Sequence, residues 1–129
     1  MESWSEKWLL NFNTDKCKVM NLGAVNNGRY FLHYNNKQAE LLCCKNEKDL
    51  GVWISNDLKW SKQCSNAANR AMSVLGMIKR SFTYISIESF KILYNTFVRP
   101  HLEYCVQIWN PYLKKDIACL EKSKGEQRN

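Results

Sequence analysis

The residues of this sequence that could do chemistry are the basic and amide side chains within residues 58–87. This stretch contains five Lys or Arg and no Asp or Glu. A solvated helix face normally carries both signs of charge, so a stretch with one sign predicts an anionic partner. An ordinary basic surface helix is the alternative that this feature alone leaves open. Polar residues in this stretch recur at the spacing of one helix face. This polar stripe consists of Lys59, Lys62, Asn66, Asn69, Arg70, Ser73 and Arg80.

Cysteine and histidine chemistry is not indicated. The sequence has six Cys and no C-x-x-C pair, and His33 and His101 have no neighbours at ligand spacing. Cys64 and Cys105 fall on apolar stripes, where a free thiol behaves as a small hydrophobic side chain. We therefore expect reduced, structural cysteines in a reducing compartment and no metal site.

Composition sets outer limits on the kind of protein. With 129 residues, of which 45% are hydrophobic, the chain is long enough to bury a core. The net charge of +7 and the pI near 9.2 fit a nucleic acid or another anionic surface as partner. No apolar run approaches a membrane span and the first residues show no charged-then-apolar signal-peptide pattern, so we expect an intracellular protein that does not enter a membrane. The oligomeric state is not indicated.

A long amphipathic helix must position the basic stripe. Asp57 stands where an N-cap residue is expected, so the helix is predicted to begin near Leu58. Gly76 interrupts it at a cost of about 1 kcal/mol relative to Ala. The apolar stripe of this helix consists of Trp60, Cys64, Ala67, Ala68, Ala71, Leu75, Ile78 and Phe82.

The chain before this helix is predicted to be a short helix followed by a small antiparallel sheet. The helix is expected over residues 2–12, with Trp4, Trp8 and Phe12 on one aromatic face. Alternation and turn dipeptides predict strands over residues 16–22, 29–34, 38–44 and 50–55, with a charged turn at residues 45–49. Trp4, Trp8, Trp60 and Trp109 could stack on bases, but their spacing favours packing in a core.

The chain after the long helix is predicted to be helical. Ser86 is the expected N-cap of a helix that kinks or restarts at Pro100, because proline lacks an amide hydrogen. Further helices are predicted over residues 101–109 and 113–122. The fold class is therefore α+β: a sheet-containing segment at 1–56, a helical bundle at 57–122 and a disordered tail at 123–129.

Three blocks of the sequence, in this order, resemble a known family: KWLLNFNTDKCKVMNLG, KDLGVWISNDLKWSKQC and SFKILYNTFVRPHLEYCVQIWNPYLKKDIACLEK. They are similar to the part of reverse transcriptase that follows the catalytic strand in jockey-type non-long-terminal-repeat retrotransposons, a LINE group. The resemblance covers residues 1 to about 122. It implies the end of the palm domain at 1–56 and a thumb-like bundle at 57–122.

The resemblance also implies roles for individual residues. Lys16, in a turn that begins at Asn13, matches a lysine expected near the leaving pyrophosphate in the full enzyme. Cys17 departs from the family's usual hydroxyl residue there. The strand at 50–55 resembles the primer grip, which would assign Leu50, Gly51 and Val52 to holding the primer end. The thumb-like helix would follow the template–primer duplex with Lys59, Lys62, Asn66, Asn69, Arg70 and Ser73, independently of sequence.

The catalytic carboxylates of the family are not found in this sequence. Polymerisation needs metal ions held by an Asp-Asp pair, which in the family lies upstream of the first helix here, and the sequence has no pair of adjacent acids. The expectation is a truncated piece of an RNA-directed DNA polymerase that binds RNA or DNA duplex but is not an enzyme by itself. No cofactor is expected in this piece, and Mg²⁺ only in the full-length polymerase. The alternatives are a stand-alone nucleic-acid-binding module and a non-functional product of a degenerate mobile element.

Overall fold

The predicted long helix is present as α2, Ser61–Ser81, in a computed structural model that describes residues 2–23, 28–34 and 37–125. The chain divides into two compact units. The first unit comprises Met1–Glu47 and Ser55–Leu58, and the second comprises Lys48–Ile54 and Lys59–Asn129. The α+β class predicted from the sequence is confirmed, with a short N-terminal helix, a small sheet and a helical C-terminal part.

The first unit contains a three-stranded sheet with strand order β1-β3-β2. Strand β2 pairs antiparallel with β3, whereas the short β1 pairs parallel with β3, so the expectation of a purely antiparallel sheet is wrong at this strand. A short 3₁₀ turn, Thr14–Lys16, occupies the start of the segment predicted as the first strand. The bounds are α1 Glu2–Trp8, β1 Lys18–Val19, β2 Tyr30–Tyr34 and β3 Lys37–Cys43.

The predicted aromatic face of the N-terminal helix does not pack in a core. Helix α1 ends at Trp8 because Leu9 has a positive φ of 52°, which a continuing helix does not allow, and Phe12 therefore lies outside it. Trp4 and Trp8 are 54% and 58% exposed. Among the described residues of the first unit, the only buried side chains belong to Ser5 and Ser55, so the described part of this unit contains no buried apolar core.

A tight β-hairpin replaces the charged turn and the single strand predicted over residues 45–55. Strand β4, Asn46–Asp49, pairs with β5, Val52–Ser55. The two residues between them, Leu50 and Gly51, have φ values of 45° and 88°. Positive φ at both central residues is the signature of a type I′ turn, whose twist matches that of the flanking strands. The Leu-Gly dipeptide is therefore in the turn and not in a strand.

Helix α2 begins at Ser61, three residues later than the start near Leu58 that Asp57 as N-cap predicted. Leu58 has a φ of 55° and its N–H bonds to the Ser55 carbonyl, so the backbone is still in a turn at this point. Trp60 occupies the N-cap position without a side-chain hydrogen bond. The prediction that Asp57 caps this helix is therefore wrong.

The helices after α2 form one continuous helical rod and two shorter helices. The rod consists of α3, Ile87–Leu93, a π-helical turn, Tyr94–Val98, and α4, Arg99–Glu103. The Ser86 cap is confirmed, since Ser86 Oγ accepts a bond from the Ser89 N–H. The disturbance predicted at Pro100 takes the form of the π turn just before it, in which the Arg99 N–H bonds to the Tyr94 carbonyl five residues back, and α4 then begins with Pro100 in its first turn.

The helix predicted over 101–109 is interrupted. Cys105 has a left-handed φ of 53°, which separates α4 from α5, Val106–Trp109. The last helix is α6, Lys114–Gly125. It includes the first three residues of the tail predicted to be disordered, and the rest of that tail lies outside the described residues.

The core of the second unit consists of two clusters of buried residues that both include residues of α2. The first joins α2 to the rod, and the second joins α2 to β5 and α5, while the partly buried Leu120 of α6 packs against both. The clusters are Ala71, Leu75, Ile78, Val98 and Leu102, and Val52, Cys64, Ala67 and Trp109. The predicted apolar stripe of α2 is thereby confirmed except at Phe82, which is 47% exposed, and at Trp60, which is only partly buried.

Candidate nucleic-acid interface

The exposed side of α2 carries the polar residues singled out by the sequence. Lys62, Asn69, Arg70 and Ser73 are exposed and Asn66 is half-buried. The helix contains four Lys or Arg and no acidic residue over its 21 positions. At a rise of about 1.5 Å per residue, Lys62 and Arg70 are separated by roughly 12 Å along the axis. This spacing spans several phosphates of a nucleic-acid duplex.

Two polar residues of this face already have partners inside the protein. The Lys62 ammonium lies 5.4 Å from the centre of the Trp53 ring, a cation–π arrangement. Asn66 Nδ2 donates a 2.8 Å bond to the Lys62 carbonyl one helical turn earlier. The lysine is thus held over β5, and one of the two amide hydrogens of Asn66 is used within the helix.

Lys59 lies outside α2, in the non-helical segment just before it, and its side chain is exposed. It belongs to the same unit as the α2 residues. Lys16 is exposed at the end of the 3₁₀ turn of the first unit. The structure therefore places all the predicted duplex-contacting residues in the second unit, and the predicted pyrophosphate-proximal lysine in the first.

The predicted primer-holding residues have three different environments. Leu50 is 85% exposed, and its carbonyl accepts a 3.0 Å bond from the Tyr104 hydroxyl. Gly51 has the positive φ, and a Cβ at this position would lie 3.1 Å from Tyr104 Cε1. Val52 is buried in the second core cluster, so its side chain serves packing. Of the three, only the turn residues Leu50 and Gly51 are accessible to a ligand.

A residue that the sequence analysis missed holds the hairpin against α2. Gln63 is 5% exposed, and its Oε1 accepts a 2.9 Å bond from the Trp53 backbone N–H. The sequence pattern alone assigns a polar residue beside an apolar stripe to the protein surface. Only the tertiary position of β5 shows that Gln63 is buried and bonded to this strand.

An open groove of about 350 Å³ lies between the hairpin, α2 and α4, entirely within the second unit. The described residues of its lining combine aromatic, amide and basic side chains and include no carboxylate. The lining residues are Gly51, Trp53, Gln63, Asn66, Ala67, Arg70, Pro100, His101 and Tyr104.

A hydrogen bond between a half-buried serine and a buried aspartate lies at the start of α2. Asp116 is 5% exposed and accepts a 3.0 Å bond from Ser61 Oγ, the first residue of α2. Burial raises the pKa of the nearby Cys64 thiol from 9.0 to about 11, and the negative charge of Asp116 is the second cause of this shift. This thiol is therefore a protonated core group and not a nucleophile at neutral pH.

Within residues 2–23, 28–34 and 37–125, no group of three or more His, Cys, Asp or Glu side chains is placed to hold a metal ion. In the same part of the chain, no helix combines the length and the apolar composition needed to cross a bilayer.

Comparison with known proteins gives one distant relative. The chain is 29% identical over 73 residues, or 57% of its length, to an uncharacterized protein of Caenorhabditis elegans. It spans 37% of that protein's length. No family model matches the chain, and no solved structure does.

Proposed function

We propose that the second unit binds the backbone of a nucleic-acid duplex without reading its sequence. The observation that carries this proposal is the exposed face of α2, in which Lys62 and Arg70 are joined by neutral Asn and Ser residues and no acid interrupts them. Lys and Arg at such a surface neutralise phosphates, and Asn and Ser add uncharged donors to phosphate oxygens. Base edges are not needed for either contact.

Within this proposal, the chain is the palm-end and thumb-like part of a retrotransposon RNA-directed DNA polymerase. Two features support it: the resemblance of the three sequence blocks, and the first unit, whose described residues include no buried apolar side chain. A sheet without a covered face gains stability only when another layer packs on it. We infer that this layer belongs to a longer protein, which also supplies the carboxylates for Mg²⁺, and that this protein works inside the cell.

Salt-dependent binding tests the duplex interface. We expect log K for a DNA or hybrid duplex to fall with log salt with a slope near −3 to −4, which corresponds to about three to five neutralised phosphates. Lys62→Glu combined with Arg70→Glu should abolish binding at moderate salt. A matched control carries the same charge change on α6, Lys115→Glu with Lys122→Glu, because α6 packs on the buried side of α2. Equal losses in both variants, or a slope of zero, would refute the interface.

A stand-alone binding module is the second candidate. It is favoured by the two core clusters, which lie entirely within the second unit and do not use the first. Sequencing the source DNA upstream separates the two candidates: an in-frame Asp-Asp block supports the polymerase, and an upstream stop codon supports the module.

A further inference from the structure

The groove beside the basic face of α2 has two fixed aromatic walls. Tyr104 is held by its hydroxyl bond to the Leu50 carbonyl and lies close against Gly51. Trp53 is held through its backbone bond to Gln63 and through Lys62, whose ammonium lies over its ring. Both rings are already fixed before a ligand binds, so a flat aromatic ligand would meet a preformed surface.

The remaining lining is suited to an anion attached to such a ligand. Arg70 and His101 line the same groove, and Lys62 stands at its Trp53 wall. Arg binds a phosphate with two parallel bonds, and the His imidazole adds an N–H donor. Since none of the lining residues that the structure describes is a carboxylate, a phosphate there would meet no like charge from them. The volume of about 350 Å³ lies within the range of small-molecule sites.

We propose that this groove holds one unpaired nucleotide, with its base against Trp53 or Tyr104 and its phosphate at Arg70. The inference rests on the proposed function and deepens it, because Arg70 and Lys62 also belong to the duplex-binding face. A paired base would have to leave its stack at a cost of a few kcal/mol, so an unpaired terminal base is the favoured occupant. The second unit would then bind the junction where a duplex ends in a single-stranded nucleotide.

The test compares one duplex with and without a single unpaired nucleotide at one 3′ end, at the same salt concentration. Base–aromatic stacking predicts about five-fold or more tighter binding of the duplex with the overhang. Trp53→Leu combined with Tyr104→Leu should remove this preference, and the readout is the ratio of overhang to blunt-duplex affinity, because Trp53 also contacts Lys62 of the duplex-binding face. Tyr84→Leu, which changes an exposed aromatic residue outside the groove, should keep the preference. Equal affinity for both duplexes in the unmodified protein overturns the inference.

A second measurement needs no variant. It compares a nucleotide in the overhang of a duplex with a free nucleotide. 2-Aminopurine in the overhang should lose fluorescence on binding, and the same base inside the duplex should not. Free 2-aminopurine ribonucleoside monophosphate tests the groove without a duplex. If blunt duplex does not bind, the proposed function fails, and quenching of the free nucleotide then supports the groove alone. If blunt duplex binds but neither the 2-aminopurine in the overhang nor the free 2-aminopurine nucleotide loses fluorescence, the duplex interface stands and the groove inference is wrong.

Discussion

Gln63 Oε1 accepts a hydrogen bond of 2.9 Å from the backbone N–H of Trp53, and this contact joins strand β5 to helix α2. It satisfies a backbone donor that faces the helix rather than the partner strand. The same contact positions Trp53 beside Lys62, so the aromatic wall of the groove and the basic face of α2 share one support.

Removing this acceptor should destabilise the second unit. In Gln63→Met the side chain keeps its length and its burial, but the Trp53 N–H loses its partner, which costs about 1–3 kcal/mol. Urea unfolding monitored on helix content measures the change. Gln107→Met, at an exposed position of α5, is the control and should alter stability by less than about 0.5 kcal/mol. Equal stability of the two variants would show that the contact is not important.

The two glycines at residues 51 and 76 should respond in opposite directions to alanine. Gly51→Ala adds a Cβ at a φ of 88°, 3.1 Å from Tyr104 Cε1, and should cost about 1–3 kcal/mol. Gly76→Ala, in the middle of α2 with nothing within 4 Å of the added Cβ, should stabilise by up to about 1 kcal/mol. Thermal unfolding of both variants checks the signs. A destabilised Gly76→Ala would indicate a close partner on that side of α2.

The Cys64 thiol predicts a loss of stability in alkali. Its pKa is raised to about 11 by burial, whereas the unfolded thiol ionises near 9.0. The contribution of the protonated Cys64 thiol to the free energy of unfolding is fully present below pH 9. It is lost as the pH rises to 11, because the unfolded chain gives up the proton first. The total loss is about 2–3 kcal/mol. The difference in unfolding free energy between the unmodified protein and Cys64→Ala, followed from pH 8 to 11, isolates this group.

Alkylation gives an independent check on the same thiol. At pH 8, iodoacetamide should modify the exposed Cys43 rapidly and Cys64 only after unfolding. Peptide mass spectrometry reads each site. Rapid labelling of Cys64 in the folded protein would mean that the second core cluster opens locally.

Hydrogen exchange should differ between the two units. Amides of α2 are expected to be protected, since the helix contributes to both core clusters. Amides of β2 and β3 are expected to exchange much faster, because the described part of the first unit includes no buried apolar side chain to hold the sheet closed. Comparable protection in both units, together with a single cooperative melt of a monomer, would contradict the proposal that the first unit needs a cover from a longer protein.

The elements that the sequence predicted well are those whose evidence is local and repeated. The α2 stripe repeats over several turns from Cys64 to Ile78, and the Ser86 cap depends on contacts within three residues. The basic face of α2 follows from the same period. These features need no knowledge of distant residues.

The features that the sequence missed depend on single backbone conformations or on distant partners. Positive φ values at Leu9, Leu58 and Cys105 end or delay helices, and none of these residue types normally signals a left-handed conformation. The parallel pairing of β1 with β3 joins strands that are far apart in sequence. The groove needs β5, α2 and α4 together, so Trp53 and His101 could not be assigned to one site from spacing.

The sharing of α2 between both core clusters has a thermodynamic consequence for ligands. A duplex that binds only the native form of this helix draws the folding equilibrium toward that form by mass action. At a ligand concentration of 100 times the Kd, the gain is about 2.7 kcal/mol. Since the helix proposed to bind the duplex also anchors both clusters, the midpoint of melting should rise for the whole helical unit at once, which makes a thermal-shift screen a direct reporter of occupancy.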